Sequence, residues 1–457
     1  MARMTRHPVA RPPVAPEREA TSHLALRAYA AFVLFSGLAY SWWYNLLGAV
    51  GAVVLIGAVV LTSLAIWVPR IARRGFAWQR LPWAALGYAA LAAVSAAWSA
   101  WPGATVVTWV VLVAFALQGV FIADVLSWRE IMRALEAALR WIIGGSIVFE
   151  AWVALVLDHP IMPNFFPIDG KPDPHWYWVR GNLFDSWLVG DRIQGIVGNA
   201  NLLGMLAVIA LIVFAARLRL AVVERLPAER IVARSLWLAA AAWMLLRAGS
   251  ATSIVAGAVA GAVLLAALAM RRTTTPSGRT RVYAACTIVA GAGAATVALG
   301  YERIVALLGR DGGLTGRGEI WDEVLDRARD RPVFGHGFSS PWVPWDPAFD
   351  GWIVDHDITV FEAHNMWIDV FLQLGAVGVI AIAIVYGAAV WRAWFHAVDQ
   401  PRGTGLTMRP HSPLALVPLL VLWALLAQGL AESNPIMLWG WMLVVMFTSK
   451  LRQRPAP

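Results

Sequence analysis

Two stretches of the chain group arginine, asparagine, histidine and acid in ways that suit anion chemistry. The first, Asp191-Arg192-Ile193-Gln194-Gly195-Ile196-Val197-Gly198-Asn199-Ala200-Asn201-Leu202, leads into an apolar run. Two asparagines and two glycines at the mouth of such a run are poor lipid-facing residues, and belong against an interior or a polar cavity. The second, Thr315-Gly316-Arg317-Gly318-Glu319-Ile320-Trp321, opens a helical segment reaching Arg331. Arg317 stands at its N-terminus, the positive end of the dipole, where arginine has the wrong sign for compensation. An anion such as phosphate would relieve that conflict. This stretch closes with Glu362-Ala363-His364-Asn365-Met366-Trp367 before another apolar run. His364 is thereby fixed at a membrane boundary. A structural histidine at a helix start and a proton-handling one both remain open at this point.

The segment after Arg317 has a helical stripe, Ile320, Trp321, Val324, Leu325 and Ala328, opposite Asp322, Glu323, Asp326, Arg327 and Arg329. That predicts an amphipathic helix lying on the outer membrane surface or on the bundle. Pro332 stops it, and Gly335 and Gly337 allow a sharp return. His336 and Trp321 read as structural. Asp346, Asp350, Asp355 and Asp357 could hold Ca²⁺, but they lack the EF-hand order and its closing glutamate, so a solvated acidic face is the stronger reading.

The elements that position these residues must be membrane helices. Of 457 residues, 59% are hydrophobic and 14% charged, with mean hydropathy +0.63. A soluble domain carries about 25% charge. The expected class is an all-α, polytopic transmembrane bundle of about 12 spans with a large helical extracytoplasmic loop. Apolar windows lie near 28–44, 47–68, 82–99, 104–123, 138–157, 195–216, 235–249, 252–270, 282–300, 366–390, 414–431 and 436–449. A bilayer core requires roughly 20 apolar residues per helix, so 235–270 must break, at Arg247-Ala248-Gly249-Ser250-Ala251-Thr252-Ser253.

This count divides the chain into a basic tail (1–27), spans 1–5 (28–157), a first external loop (158–192), spans 6–9 (193–300), a large external loop (301–363), spans 10–12 (364–449) and a second tail (450–457). The arginines of the tails and of one set of loops then share one side, which predicts cytoplasmic termini in the inner membrane. The excess of nine positive charges is explained by topology, so no nucleic-acid partner is expected. The leading residues read as a tail rather than a signal peptide. The single cysteine, Cys286, allows no intrachain disulfide.

The external loops hold most of the acids, five in 158–192 and twelve in 301–363 out of 28, yet keep nine bases that topology does not require. The tryptophans near outer boundaries, among them Trp42, Trp43, Trp98, Trp101, Trp439 and Trp441, read as an aromatic belt. Trp176, Trp178, Trp342 and Trp352 could share that role or stack on sugars.

Taken in order, Arg192/Gly195/Asn199/Asn201, Gly316/Arg317/Trp321, Pro332/Gly335/Gly337, His364/Asn365 and Gly375/Gly378 resemble the O-antigen ligase and O-antigen polymerase family of bacterial membrane glycosyltransferases. The likeness covers roughly residues 190–390. One departure is Ser250-Ala251-Thr252-Ser253, which lacks the arginine that often ends this family motif. Arg247, embedded between two apolar runs, is expected either to substitute as the anion contact or to pair internally, with Glu150 as partner.

The resemblance implies transfer of a glycan from a polyprenyl diphosphate carrier to an acceptor hydroxyl of a lipid, glycan or wall polymer at the outer face. Arg317, Arg192 and Arg247 would bind diphosphate. His364 would accept or orient the hydroxyl proton, with Arg317 the second catalytic group. Asn199, Asn201 and Asn365 would position the donor. No metal or organic cofactor is expected, and inversion at the anomeric centre follows from in-line attack. Ligase and polymerase remain alternatives. So does a lipid-linked glycan transporter, although no internal repeat is visible. The stretch Trp43-Tyr44-Asn45-Leu46, expected as an outer turn, carries no acid, which argues against a metal-dependent transferase using that turn.

Overall fold

The computed structural model describes residues 21–75, 77–164, 173, 176–184, 192–307, 317–356, 358–399 and 410–453. The expectations placed on residues 1–20, Asp191, Gly316 and Asp357 lie outside the described residues. Among the described residues, thirteen α-helices follow one another: α1 Thr21–Leu38, α2 Tyr40–Arg74, α3 Trp83–Val94, α4 Pro102–Val125, α5 Trp128–Trp152, α6 Ala200–Val223, α7 Ala228–Ala248, α8 Ala251–Arg272, α9 Pro276–Leu307, α10 Arg317–Arg329, α11 Met366–Val398, α12 Val417–Gln428 and α13 Leu438–Arg452. A two-residue hairpin is the only sheet among the described residues; it pairs Val354 with Thr359 and Asp355 with Ile358.

Seven helices among the described residues are long and apolar enough to cross a bilayer: α2, α4, α5, α6, α7, α8 and α11. Shorter apolar helices cover His23–Leu38, Trp83–Ala97 and Pro413–Gln428. The first two windows are displaced from expectation. The stretch at 43–46 is helical, and the chain instead breaks at Ala39 and again at Gly48, which adopts φ 70°. The expected break in 235–270 is present. Gly249 ends α7 in the left-handed region, and the Ser250 hydroxyl accepts the Ser253 N–H to cap α8. Glycine supplies the positive φ without steric cost, and serine satisfies a free helix donor.

The core runs along α13. From Leu438 to Lys450 every residue is buried, which suits a helix hydrophobic on all sides. Trp439 and Trp441 are fully enclosed and Trp101 is nearly so, so these three pack the interior instead of forming a belt. On the periphery, α2 leaves Val53, Val54 and Leu61 exposed, as a lipid-facing helix would.

One feature ties the large loop to the bundle. Within α11, Gly375 leaves helical geometry at φ 61°. The freed backbone groups are taken up by the loop segment 332–337. Ala376 N–H donates to the Pro332 carbonyl (2.9 Å), and Val377 N–H to that of Val333 (3.2 Å). His336 and Gly337 N–H groups donate to the carbonyls of Leu372 (3.0 Å) and Gln373 (2.8 Å). A side chain at Gly375 would strike the Val333 backbone. Irregular backbone inside a membrane protein is tolerated where protein satisfies it. The α10 stripe of Ile320, Val324 and Ala328 packs on a satellite core with Trp101, Trp342, Phe349 and Leu372. The amphipathic helix therefore lies on the bundle and its own loop.

Candidate functional site

Three separate parts of the chain converge on one buried carboxylate. Glu432 sits in the turn after α12, and its side chain is 5% exposed. Its Oε1 accepts from Arg317 Nη2 (2.7 Å) and from Asn201 Nδ2 (2.9 Å). Its Oε2 lies 3.2 Å from His364 Nδ1. The same imidazole nitrogen lies 3.2 Å from Glu362 Oε1, and Glu362 Oε2 accepts the Ser433 N–H. Beyond Asn201, Oδ1 accepts from Arg192 Nη2, while Arg192 Nε donates to the Ala248 carbonyl at 2.8 Å. A chain of contacts thus joins Arg192, Asn201, Glu432, Arg317, His364 and Glu362.

Local structure fixes these positions. Asn199 caps α6 by accepting from Asn201 and Leu202 N–H groups, which sets Asn201 on the first turn. Asn365 does the same for α11, accepting from Trp367 and Ile368 N–H groups, and its amide donates to the Leu430 carbonyl near Glu432. His364, just before that cap, is held at φ 49°. This left-handed conformation is uncommon for a non-glycine residue and persists where surroundings enforce it.

Electrostatics set the protonation. Burial lowers the His364 pKa, but hydrogen bonds to Glu362 and Glu432 and their charges prevail and lift it to about 10. Burial would raise Glu432, yet the His364 hydrogen bond and the Arg317 guanidinium pull it down to about 2. Glu362 is pushed up, first by burial and then by the Glu432 charge. At neutral pH the imidazole is a cation bridging two carboxylates through Nδ1–H. Arg192, Arg317 and His364 give three positive charges against at most two negative ones, so the cluster favours an anion. The ligand atoms of Glu362, His364 and Glu432 lie within 4.8 Å of one another, a spacing that suits a cation. The same three side chains also partner one another and Arg317 directly, through contacts of 3.2, 3.2 and 2.7 Å.

The expected site residues divide. Arg192, Asn201, Arg317 and His364 are brought together; Asn199 and Asn365 are their helix caps. Arg247 is buried but turned elsewhere, its Nη2 donating to the carbonyls of Asn182 (2.7 Å) and Leu183 (3.3 Å). Arg247 makes no direct hydrogen bond to Glu150, although the two charges still interact through space. Glu150 Oε1 instead accepts the N–H groups of Gln194 (2.9 Å) and Gly195 (2.7 Å), because the loop folds its backbone donors over that carboxylate.

Trp178 and Trp342 are committed to packing, with Nε1 donating to the Ile196 carbonyl and to Asp369 respectively, so stacking on sugars is ruled out for both. Trp176 and Trp352 are only partly buried. His336 is buried with Nε2 2.9 Å from the Arg327 carbonyl, against Trp101. Glu362 and Glu432 were missed by sequence reasoning. Glu432 had one available signal: it is the only acid after Asp399.

Between α1, α2 and α5 runs an apolar groove of about 510 Å³, lined by Phe32, Phe35, Trp42, Trp141, Phe149 and Ile196 among others. Ile196 lies on the segment between Arg192 and Asn201, so the groove's wall and the polar cluster share one stretch of backbone.

Residues 235–383 match the O-Antigen ligase family. That interval carries Arg247, Arg317 and His364; Arg192, Asn201 and Glu432 fall outside it. The chain is also 29% identical, over 171 residues, to the exopolysaccharide production protein ExoQ of Rhizobium meliloti (strain 1021). This match covers 33% of the chain and 38% of the relative. Each match covers only part of the chain.

Proposed function

We propose that this multi-pass membrane protein is a glycosyltransferase of the O-antigen ligase type, moving a glycan from a polyprenyl diphosphate carrier to an acceptor hydroxyl on the outer face of the cytoplasmic membrane. The observation that carries the reading is the convergence of Arg192, Arg317 and His364 on Glu432, with an apolar groove whose wall shares the backbone between Arg192 and Asn201. Twelve crossings with both termini cytoplasmic, and the loop boundaries drawn from the sequence, belong to the same proposal. They put the cluster at the outer rim, where a carrier's diphosphate would lie with its chain in the groove.

In this mechanism the acceptor oxygen attacks the anomeric carbon. The bond to the diphosphate breaks, and its electron pair leaves with the diphosphate. Arg317 and Arg192 hold that leaving group as its charge grows, which is where fixed donors lower a barrier most. Arg247, with its guanidinium on the loop carbonyls at Asn182, supports the wall behind them and is not assigned a direct contact. His364 in its charged form adds positive charge next to the diphosphate. It becomes a base only after losing a proton, so Glu362, driven upward by burial, is the better-matched acceptor for the hydroxyl proton. Glu432 is a positioning residue that keeps Arg317 and His364 in register. Asn201 links Arg192 to it. Attack opposite the leaving group inverts the anomeric centre.

The test follows lipid-linked glycan and surface polymer in cells carrying Arg317→Ala or His364→Ala at normal protein levels. Lipid-linked glycan is expected to accumulate and polymer to fall by at least about 100-fold, the scale of losing one fixed charge donor. Normal polymer would refute the assignment. The exopolysaccharide relative favours a second reading, polymerisation of repeat units on the carrier. Single repeat units in a deletion strain indicate polymerase; full-length polymer that has lost its anchor indicates ligase.

A further inference from the structure

At the other end of the same helices lies a cluster that this function does not use. Glu136 on α5 is surrounded by three arginines. Arg140 Nη2 is 2.6 Å from Oε1, Arg217 Nε of α6 is 2.7 Å from Oε2, and Arg234 Nε of α7 is 3.6 Å from Oε1. Arg217 stands roughly 24 Å along α6 from Asn201, so the two clusters mark opposite membrane boundaries. Glu136 is 7% exposed, Arg217 10% and Arg234 15%, so the charges are largely out of water.

One carboxylate cannot neutralise three guanidiniums. Glu130 closes the capping box at Ser127, Glu224 pairs with Arg129 at 3.1 Å, and Glu229, in the first turn of α7, makes no ion pair with these arginines among the described residues. Two donors, Nε of Arg140 and Nε of Arg234, are buried without a hydrogen-bond partner. Uncompensated buried charge and unsatisfied donors are costly, so the arrangement calls for an additional anion. The surroundings suit a membrane-level ligand. The Arg140 guanidinium lies 5.7 Å from the Trp237 ring, and Val232 and Leu236 on the same helix are exposed.

We infer that Arg140, Arg217 and Arg234, arranged around Glu136, form a binding site for a phosphate group at the membrane boundary remote from the catalytic cluster. Guanidinium forks match phosphate oxygens, and arginines at this depth meet lipid headgroups. The phosphate is either that of an anionic phospholipid or free in solution.

The experiment uses the full-length protein purified in detergent, alongside Arg140→Gln, Arg234→Gln and Glu136→Gln. Native mass spectrometry follows retention of phosphatidylglycerol and cardiolipin against phosphatidylcholine, and thermal unfolding follows inorganic phosphate. For a headgroup site, wild type retains the anionic lipids, each arginine variant retains about tenfold less, and Glu136→Gln retains as much or more. For a free-phosphate site, phosphate raises the melting temperature of wild type but not of the arginine variants, without lipid selectivity. Equal behaviour of wild type and arginine variants in both assays overturns the inference. So does a loss in Glu136→Gln as large as in Arg234→Gln, since that would mark a purely structural ion-pair network. Arg140, the most exposed of the three at 32%, keeps the test usable should Arg234→Gln fail to fold.

Discussion

Glu432 is the residue on which the candidate site depends, because two cationic side chains share it. Replacing it with alanine leaves Arg317 and His364 close together without their common counter-charge. Removing one partner of a buried pair typically costs about 3–5 kcal/mol, so Glu432→Ala should lower the melting temperature and abolish transfer together. Glu432→Gln preserves the shape and should retain more stability while still losing activity, with the two readouts measured on the same preparations.

The pH dependence has a defined sign. His364 is raised from 6.5 to about 10, so its contribution is complete below about 6.5 and fades as pH climbs through 10. Glu432 is lowered from 4.5 to about 2, so its contribution is complete above about 4.5 and fades as pH falls through 2. The melting-temperature gap between wild type and His364→Gln should therefore shrink steadily from neutral pH toward 10.

Arg317 and His364 stood out in the sequence because each sits at a helix start in a loop crowded with acids. Their partner did not, because a lone glutamate in a short turn between apolar helices looks like an ordinary boundary residue.

At the scale of elements, the interruption of α11 decides how the large loop is held. Gly375→Ala combines a left-handed backbone with a collision against Val333. It should destabilise the protein by about 2–4 kcal/mol and reduce transfer, measured by thermal unfolding and by product formation. Ser250→Ala removes one cap and should cost only about 1 kcal/mol. The break before α8 was readable because a polar Arg-to-Ser stretch cannot lie in hydrocarbon. The amphipathic stripe of α10 was equally clear. What covers it was not, since Trp342 and Phe349 come from irregular backbone with no periodicity to reveal their direction. The start of α2 was misjudged for a related reason. Aromatic residues at 40–44 resemble a boundary, whereas here they lie inside the helix, with Trp42 on the groove wall.

For the whole molecule, the apolar composition announced a membrane protein, while the arrangement of its helices around α13 could not be read from hydropathy. Every window looks alike on that scale, and burial of α13 depends on which neighbours arrive. The groove between α1, α2 and α5 gives a prediction at this level. Gly145 contributes to its wall and has Ile196 as nearest neighbour. Gly145→Leu should fill the space, leave folding nearly intact and weaken use of a polyprenyl-linked donor by about tenfold, read from the donor-concentration dependence of transfer.

The polar cluster draws on residues 192–201, then 317, then 362–364, and only then 432. During biosynthesis the ribosome delivers the basic residues well before their glutamate. The cluster therefore assembles late, once the final hairpin has threaded into place, and a nascent chain still lacking that hairpin leaves its arginine and imidazole without their shared counter-charge, however much of its bundle has already formed.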